Sequence, residues 1–136
     1  MLINIRSVSN KLDDLLLFLD YHNFPKIVII VEHWLKPDET IYIPNYVLVS
    51  KFSRTLHSHG GTLILVYEEF LNDCCEFVQI DRYQHLLEEM MCEFSIVFCS
   101  RLNLYVLGFY RSPGANVQHF LKKLDIICCQ VYLVML

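Results

Sequence analysis

The sequence predicts an α/β (α+β) fold in one domain spanning residues 1–136, and three patterns support this. Ile27 to Val31 is an unbroken run of β-branched residues, which is typical of a strand buried on both faces. Leucines at positions 12, 15, 16 and 19 precede that run at helical spacing and indicate an amphipathic helix. Two later apolar runs, 95–99 and 104–110, flank Arg101-Leu-Asn103 and predict a β-hairpin.

Composition limits the classes of function. With 54% hydrophobic residues and a mean hydropathy of +0.37, the 136-residue chain is apolar for a soluble domain of its size. We therefore expect some apolar surface to remain uncovered or to meet a partner, for example by self-association. The net charge of −4 argues against broad nonspecific nucleic-acid binding, and leaves a local or metal-bridged phosphate contact open.

The six cysteines show no CxxC pair and no zinc-ribbon spacing. We expect free, mostly buried thiols in a reducing compartment, with zinc or thiol chemistry at the Cys-Cys pairs as an alternative. The amino terminus does not resemble a secretory signal, and Ile126 to Leu136 is shorter than the ~20 residues that span a bilayer. A cytoplasmic or nuclear location is expected, without secretion or a membrane partner.

The first elements predict a β-α-β unit. Leu2 to Ile5 fits a short strand, Ser9 is a good helix N-cap, and Phe18 is expected to widen the leucine stripe. Pro25 ends the helix before the buried strand. A right-handed crossover would set the two strands parallel, which brings Asn4 and Glu32 to one edge of the sheet.

The later elements follow from similar patterns. Further strands are expected at 41–43, 46–50, 62–67 and 77–80, in addition to the hairpin strands at 95–99 and 104–110. Glu68 to Asp73 is expected to be a polar connector, and Leu86 to Phe94 follows helical spacing. Asn116 or Ala115 is expected to lead into the last helix, which would run from Val117 to Cys129.

Two groups of residues could carry chemistry. Glu32 follows the buried strand directly, and the carboxyl ends of such strands are where open α/β folds place ligands. The alternative is that Glu32 is only the first solvated residue after a core strand. His57 and His59 would point the same way on a strand and could form half of a metal site, or could simply be solvated loop histidines.

Four motifs then occur in a fixed order. They are Asn4-Ile-Arg-Ser7, Val31-Glu-His-Trp-Leu35, the segment Arg54 to Gly61 leading into a strand, and Tyr105-Val-Leu-Gly-Phe-Tyr-Arg-Ser-Pro113. This order resembles the endonuclease/exonuclease/phosphatase superfamily, and within it the apurinic-endonuclease-like domain of non-LTR retrotransposon polyproteins, which also encode a reverse transcriptase. The resemblance covers residues 2 to about 125 and implies a four-layer α/β/β/α sandwich of mixed sheets flanked by helices.

The resemblance also implies roles for individual residues. Glu32 matches the carboxylate that binds a single Mg²⁺, which offsets charge on phosphoryl oxygens during phosphodiester hydrolysis. Asn4 matches the asparagine beside that carboxylate. Tyr110 matches the tyrosine that contacts the scissile phosphate of DNA, and Arg111 would be an additional phosphate contact.

The chain also departs from the family pattern. Neither the Asp-x-Asn motif nor the terminal Ser-Asp-His motif is present, and His33 replaces the usual threonine. The resemblance therefore implies the amino-terminal portion of an incomplete nuclease-like domain, and we expect no turnover because catalytic groups act as a unit. The alternatives are a non-catalytic interaction or self-association module and a functionless remnant.

Overall fold

Two β-sheets form the framework of the computed structural model, which describes residues 1–74, 76–77 and 80–135. The first sheet has the order β1-β2-β4-β3, with β1 Leu2–Asn4, β2 Ile27–Val31, β3 Tyr46–Phe52 and β4 Thr62–Tyr67. The second has the order β5-β6-β7, with β5 Glu76–Phe77, β6 Glu93–Cys99 and β7 Leu104–Tyr110. The β1–β2 pair is parallel and the other pairs are antiparallel.

Three α-helices and two short 3-10 turns complete the described chain. The helices are α1 Leu12–Tyr21, α2 Glu68–Cys74 and α3 Val117–Met135, and the turns are Ile80–Leu86 and Ser100–Leu102. Among the helices of the described residues, none combines the length and the apolar character needed to cross a bilayer.

Apolar packing divides the molecule into four layers. Leu15 and Leu19 of α1 pack with Val28 and Ile30 on the outer face of the first sheet. The core between the two sheets contains, among others, Ile64, Val66, Val97, Ile29 and Val106. A third cluster joins the far face of the second sheet to α3 and includes Phe94, Ile96, Ile127 and Val131. The predicted α/β fold class is confirmed, with a mixed first sheet and an antiparallel second sheet between flanking helices.

Several expected elements are confirmed. β2 has the expected bounds and alternates as a strand covered on both faces, because Val28 and Ile30 contact α1 while Ile29 packs toward the second sheet. The parallel β1–β2 pair and the β6–β7 hairpin also form, and Asn103 closes the hairpin turn in the left-handed conformation.

The start of the first helix differs from the prediction. The helix begins at Leu12, and Lys11 occupies the cap position without a side-chain cap hydrogen bond. Ser9 is therefore not the N-cap. Phe18 is exposed and does not widen the buried stripe, and its ring packs against the ring of His22.

Three predictions for the middle of the chain are wrong or partly wrong. Residues 41–43 do not form a strand, because Pro44 follows and the Ile43 carbonyl accepts the Tyr46 amide in a turn. The segment from Glu68 is helix α2, whose first turn places two acidic residues at a favourable helix N-terminus. Only Glu76–Phe77 pairs as β5, and residues 78 and 79 of the predicted 77–80 strand lie outside the described residues.

The segment 86–92 is not an α-helix either. Glu88 and Cys92 exchange two backbone hydrogen bonds in a tight bridge. The apolar residues Leu86, Leu87 and Cys92 pack in the same cluster as α3, although the segment is not helical. The last helix runs to Met135, beyond the expected Cys129. Burial is described for four of the six cysteines: Cys92 and Cys99 are buried as expected, whereas Cys128 and Cys129 are exposed on α3. The expectation for Cys74 and Cys75 lies outside the residues whose burial the structure describes.

Candidate functional site

The candidate site lies at the edge where β2 of the first sheet and β7 of the second sheet end. Glu32 follows the last residue of β2, and Tyr110 is the last residue of β7. The Tyr110 hydroxyl donates a hydrogen bond to the Glu32 carboxylate, across a separation of 78 residues in the sequence. Packing of the two sheets thus joins two of the residues that the sequence singled out.

The backbone of Glu32 is fixed in an unusual conformation. Its φ angle is 56°, in the left-handed region that non-glycine residues rarely adopt. The Glu32 amide donates to the Gly61 carbonyl at 2.9 Å, and the Glu32 carbonyl accepts the Ser7 amide at 3.0 Å. The segment after β1 and the Gly60-Gly61 loop therefore hold Glu32 from both sides. A left-handed non-glycine residue costs about 1–3 kcal/mol, and such residues occur in turns as well as at functional sites. Nine other non-glycine residues in the described chain also have a positive φ.

The neighbours of Glu32 leave its carboxylate partly accessible. Its side chain is 13% exposed, and the Arg6 Nε atom lies 3.5 Å from Oε2 on a side chain that is 73% exposed. A solvated ion pair of this kind contributes little stability. Asn4 is exposed on β1, opposite Val31 in the parallel register and therefore one residue from Glu32.

Arg111 lies next to Tyr110 but is engaged in its own loop. Its Nη1 atom donates to the carbonyls of Ser112, Pro113 and Ala115. These bonds fix the turn between β7 and α3, and the guanidinium remains half-buried beside the site. The role of Arg111 as a phosphate contact stays a prediction.

The phenol of Tyr110 is neutral over the physiological range. Burial of the ring, and then the hydrogen bond to Glu32 and its negative charge, raise the pKa of Tyr110 to about 12. The hydroxyl therefore acts as a hydrogen-bond donor to the carboxylate.

A buried ion pair that the sequence did not predict lies directly behind these residues. Glu93, the first residue of β6, is fully buried, and its Oε1 atom is 2.5 Å from Nε of Arg54. The same carboxylate accepts the amides of Met90 and Gly61, each at 2.7 Å. Three donors from three segments therefore satisfy one buried charge.

This ion pair reaches both halves of the candidate site. Through the Gly61 amide, Glu93 fixes the loop whose carbonyl holds the backbone of Glu32. Arg54 donates from Nη2 to the Ser112 hydroxyl at 2.8 Å, and its Cζ atom lies 5.9 Å from the centroid of the Tyr110 ring. A carboxylate that opens an apolar strand is the one sequence signal that could have indicated Glu93.

His33 is a structural histidine in this fold. Its Nε2–H donates to the Phe52 carbonyl at 2.8 Å and its Nδ1 accepts the Leu35 amide at 2.9 Å, which requires the neutral ring. Burial lowers the pKa of His33 to about 4. Gly61 packs against the ring, and a Cβ atom there would collide with Nε2, so this position requires glycine.

The loop between β3 and β4 is organised by a second carboxylate. Glu89 accepts hydrogen bonds from the amides of Thr55, Leu56 and His57, and from Nδ1 of the His57 ring at 2.7 Å. Burial alone would raise the pKa of Glu89, but the hydrogen bonds from these amides and side chains outweigh it and lower the pKa to about 2.

The two loop histidines have different partners in this structure, and their role as half of a metal site stays a prediction. His57 pairs with Glu89, whereas the His59 ring stacks on Trp34 with 4.1 Å between centroids. Within residues 1–74, 76–77 and 80–135, no group of three or more His, Cys, Asp or Glu side chains could hold a metal ion.

No family model, curated protein or solved structure matches this chain. The functional argument therefore depends on the geometry of this edge and on the order of the sequence motifs.

Replacing Glu93 with alanine should destabilise the fold by about 3–5 kcal/mol, because Arg54 would be left buried without its anion. Urea unfolding followed by circular dichroism measures this. Combining Glu93→Ala with Arg54→Met should cost less than the sum of the two single changes. Arg6→Ala, which removes only an exposed ion pair, is the control and should change the stability by less than about 1 kcal/mol. Equal effects of Glu93→Ala and Arg6→Ala would contradict the prediction.

The stability should depend on pH through His33. The ordinary histidine pKa is 6.5 and the folded pKa is about 4, so the unfolded state binds the proton first as the pH falls. The stabilisation is complete above pH 6.5 and is lost towards pH 4, by about 3 kcal/mol. The free energy of unfolding, measured at several pH values over this range, should fall more steeply with falling pH for the wild type than for His33→Gln. Identical pH profiles would show that His33 is not held neutral.

Replacing Glu32 with glutamine should lower the pKa of Tyr110 below about 12, because the negative charge no longer opposes ionisation of the phenol. The pKa should stay above the ordinary 10, because burial of the ring is its largest cause and remains. Absorbance titration at alkaline pH measures this, with Tyr110→Phe identifying the signal. Glu89→Gln removes a carboxylate that contacts the 55–57 loop instead, and should leave the midpoint unchanged. An unchanged midpoint in Glu32→Gln would exclude the Glu32–Tyr110 contact.

Proposed function

We propose that this chain is an endonuclease-like domain of retrotransposon origin, related to the endonuclease/exonuclease/phosphatase superfamily. Its ancestral activity would be Mg²⁺-dependent hydrolysis of DNA phosphodiester bonds, and this chain would bind without turnover. The observation that carries the proposal is the contact between Glu32 and Tyr110, made by two strand ends of different sheets.

The convergence of separate motifs supports the same proposal. Asn4, Glu32, the Gly60-Gly61 pair and Tyr110 come from four segments and lie at one edge of the sandwich. Their order along the chain suggested the family, but order alone does not require that they meet. A conformationally strained carboxylate at such an edge is also more typical of a working site than of a solvated strand end.

The residues present suit a hard divalent cation in their chemistry. Glu32 offers a carboxylate and Asn4 an exposed amide oxygen, and Mg²⁺ is often held by one or two such groups while it keeps several waters. Arg6 beside Glu32 is exposed and can move away. Glu32 would hold the ion and Asn4 would orient its surroundings. When bound, Mg²⁺ would supply positive charge that offsets the negative charge on the oxygens of a phosphodiester.

The protein residues at this edge bind and orient rather than transfer protons. Tyr110 fixes one oxygen of Glu32 with a neutral hydroxyl, and the Arg6 and Arg111 cations favour an anionic ligand such as DNA phosphate. Of the histidines at positions 33, 57 and 59, only His33 has hydrogen bonds at both ring nitrogens within the described residues. The expectation of binding without turnover therefore rests on the sequence, which contains neither the Asp-x-Asn nor the Ser-Asp-His motif of the family. The proposed location is the cytoplasm or nucleus.

Manganese binding and plasmid nicking test the two parts of the proposal. Mn²⁺ titration followed by electron paramagnetic resonance should show one site that is lost in Glu32→Gln and retained in Glu89→Gln. Tyr110→Phe should weaken that site by about 10–100-fold, because it removes the group that orients the ligand. Supercoiled plasmid in Mg²⁺ should not be nicked in a Glu32-dependent manner.

Each part can fail separately. Nicking that disappears in Glu32→Gln would show that the chain is an active endonuclease, which overturns the expected absence of turnover. Mn²⁺ binding that persists in Glu32→Gln, or no binding at all, would remove Glu32 as the metal ligand and favour a non-catalytic module.

A further inference from the structure

An aromatic pair lies beside the candidate site and has no role in the proposed metal chemistry. The ring of His59 stacks on the indole of Trp34, with 4.1 Å between the centroids and 39° between the ring planes. His59 is exposed and Trp34 is partly exposed. The Trp34 Nε1 atom is buried, so the polar edge of the indole is turned away from solvent. The pair therefore presents an aromatic surface, with the His59 ring outermost.

The backbone ties this pair to Glu32. The Glu32 amide donates to the Gly61 carbonyl at 2.9 Å, and the Trp34 amide donates to the Gly60 carbonyl at 3.1 Å. Burial alternates along the segment, since His33 is buried whereas Glu32 and Trp34 on either side of it are partly exposed. Two residues span at most about 7 Å of backbone. Glu32 and the aromatic pair thus reach the surface side by side at one edge.

The loop that carries His59 is held on both sides of that residue. Arg54 donates from Nη1 to the Ser58 carbonyl at 3.2 Å. A Cβ atom at Gly60 would collide with the same guanidinium, so the Gly60 backbone lies directly against it. Arg54 is itself fixed by its buried ion pair with Glu93. The backbone of His59 is therefore fixed, which limits the freedom that its ring loses when a ligand binds.

We propose that the His59–Trp34 pair is a stacking surface for an unpaired nucleobase of a DNA strand whose phosphate lies at Glu32. The inference rests on the proposed function, because that function assigns the phosphate to a metal held by Glu32. Unpaired bases commonly stack on aromatic side chains, histidine included. A base inside a duplex is covered on both faces by its neighbours, so the ligand is a nucleotide at a strand end or in an unpaired stretch.

A nucleotide suits this arrangement better than an aromatic ligand of another kind. It combines a negatively charged phosphate with a flat base one sugar away, and the protein offers a candidate cation site and an aromatic surface two residues apart. Arg6 is 73% exposed beside Glu32 and adds a positive charge on the accessible side. An apolar peptide would occupy the rings and leave the charged half of the site without a partner.

Binding of a short oligothymidylate to the full chain in Mg²⁺ tests the stacking, with Trp34 fluorescence as the readout. A base on the pair should quench this fluorescence, and the signal reports this surface alone because Trp34 is the one tryptophan of the chain. An abasic oligonucleotide of the same length and charge should bind about tenfold more weakly, or ~1.4 kcal/mol, and leave the fluorescence unchanged. Equal affinities, or equal quenching by the two oligonucleotides, would overturn the proposal.

Variants at His59 separate its ring from its other properties. His59→Leu keeps apolar cover over Trp34 without an outer ring, and should weaken oligothymidylate binding about tenfold. His59→Phe restores a ring and should retain the wild-type affinity. His22→Leu is the matched control, because His22 is also exposed and packs against an aromatic ring, that of Phe18 at 4.4 Å between centroids. Equal losses in His59→Leu and His59→Phe, or in His59→Leu and His22→Leu, would overturn the assignment.

Glu32→Gln separates this inference from the function on which it rests. Weaker binding in Glu32→Gln together with no effect of His59→Leu would retain the site at Glu32 and remove the stacking surface. Affinity and quenching that persist in Glu32→Gln and are lost in His59→Leu would retain the stacking surface and remove the phosphate site. Failure of the wild type to bind either oligonucleotide would overturn both.

Discussion

Glu93 lies between the two sheets with no exposed surface, and the rest of the candidate site depends on how its charge is satisfied. Arg54 supplies the opposite charge and two backbone amides complete the coordination. A buried charge with fewer partners would cost several kcal/mol, so the loop before β4, the turn before β6 and the end of β7 are constrained together. Glu32 is constrained through its backbone hydrogen bond to Gly61. Tyr110 is constrained because its ring lies beside Arg54.

The same edge combines rigid support with an accessible surface. The neutral ring of His33 is hydrogen-bonded to two backbone groups and fixes the segment after β2. Gly61 leaves the space that this ring occupies. Asn4 and Arg6 are exposed beside it. A partly accessible carboxylate on a rigid frame suits the binding of a cation.

Local patterns predicted most of the strands and failed where contacts between distant segments decided the outcome. β2, β4 and the β6–β7 hairpin were predictable because β-branched runs and a turn sequence act over a few residues. The 86–92 segment has helical spacing, yet its apolar residues are used beneath α3 and its backbone forms a bridge. The residues 41–43 are apolar enough for a strand, but Pro44 and the burial of Ile43 favour a turn.

By itself the sequence determined the fold class and placed Glu32 after a buried strand, because periodicity and propensity are local properties. It also placed Asn4, Tyr110 and Arg111 at strand ends. Only the tertiary structure decided that Tyr110 meets Glu32, that Arg54 meets Glu93 and that His33 is neutral. These contacts join residues that are distant in the sequence, and they arise from the packing of two sheets against each other, which no local pattern encodes.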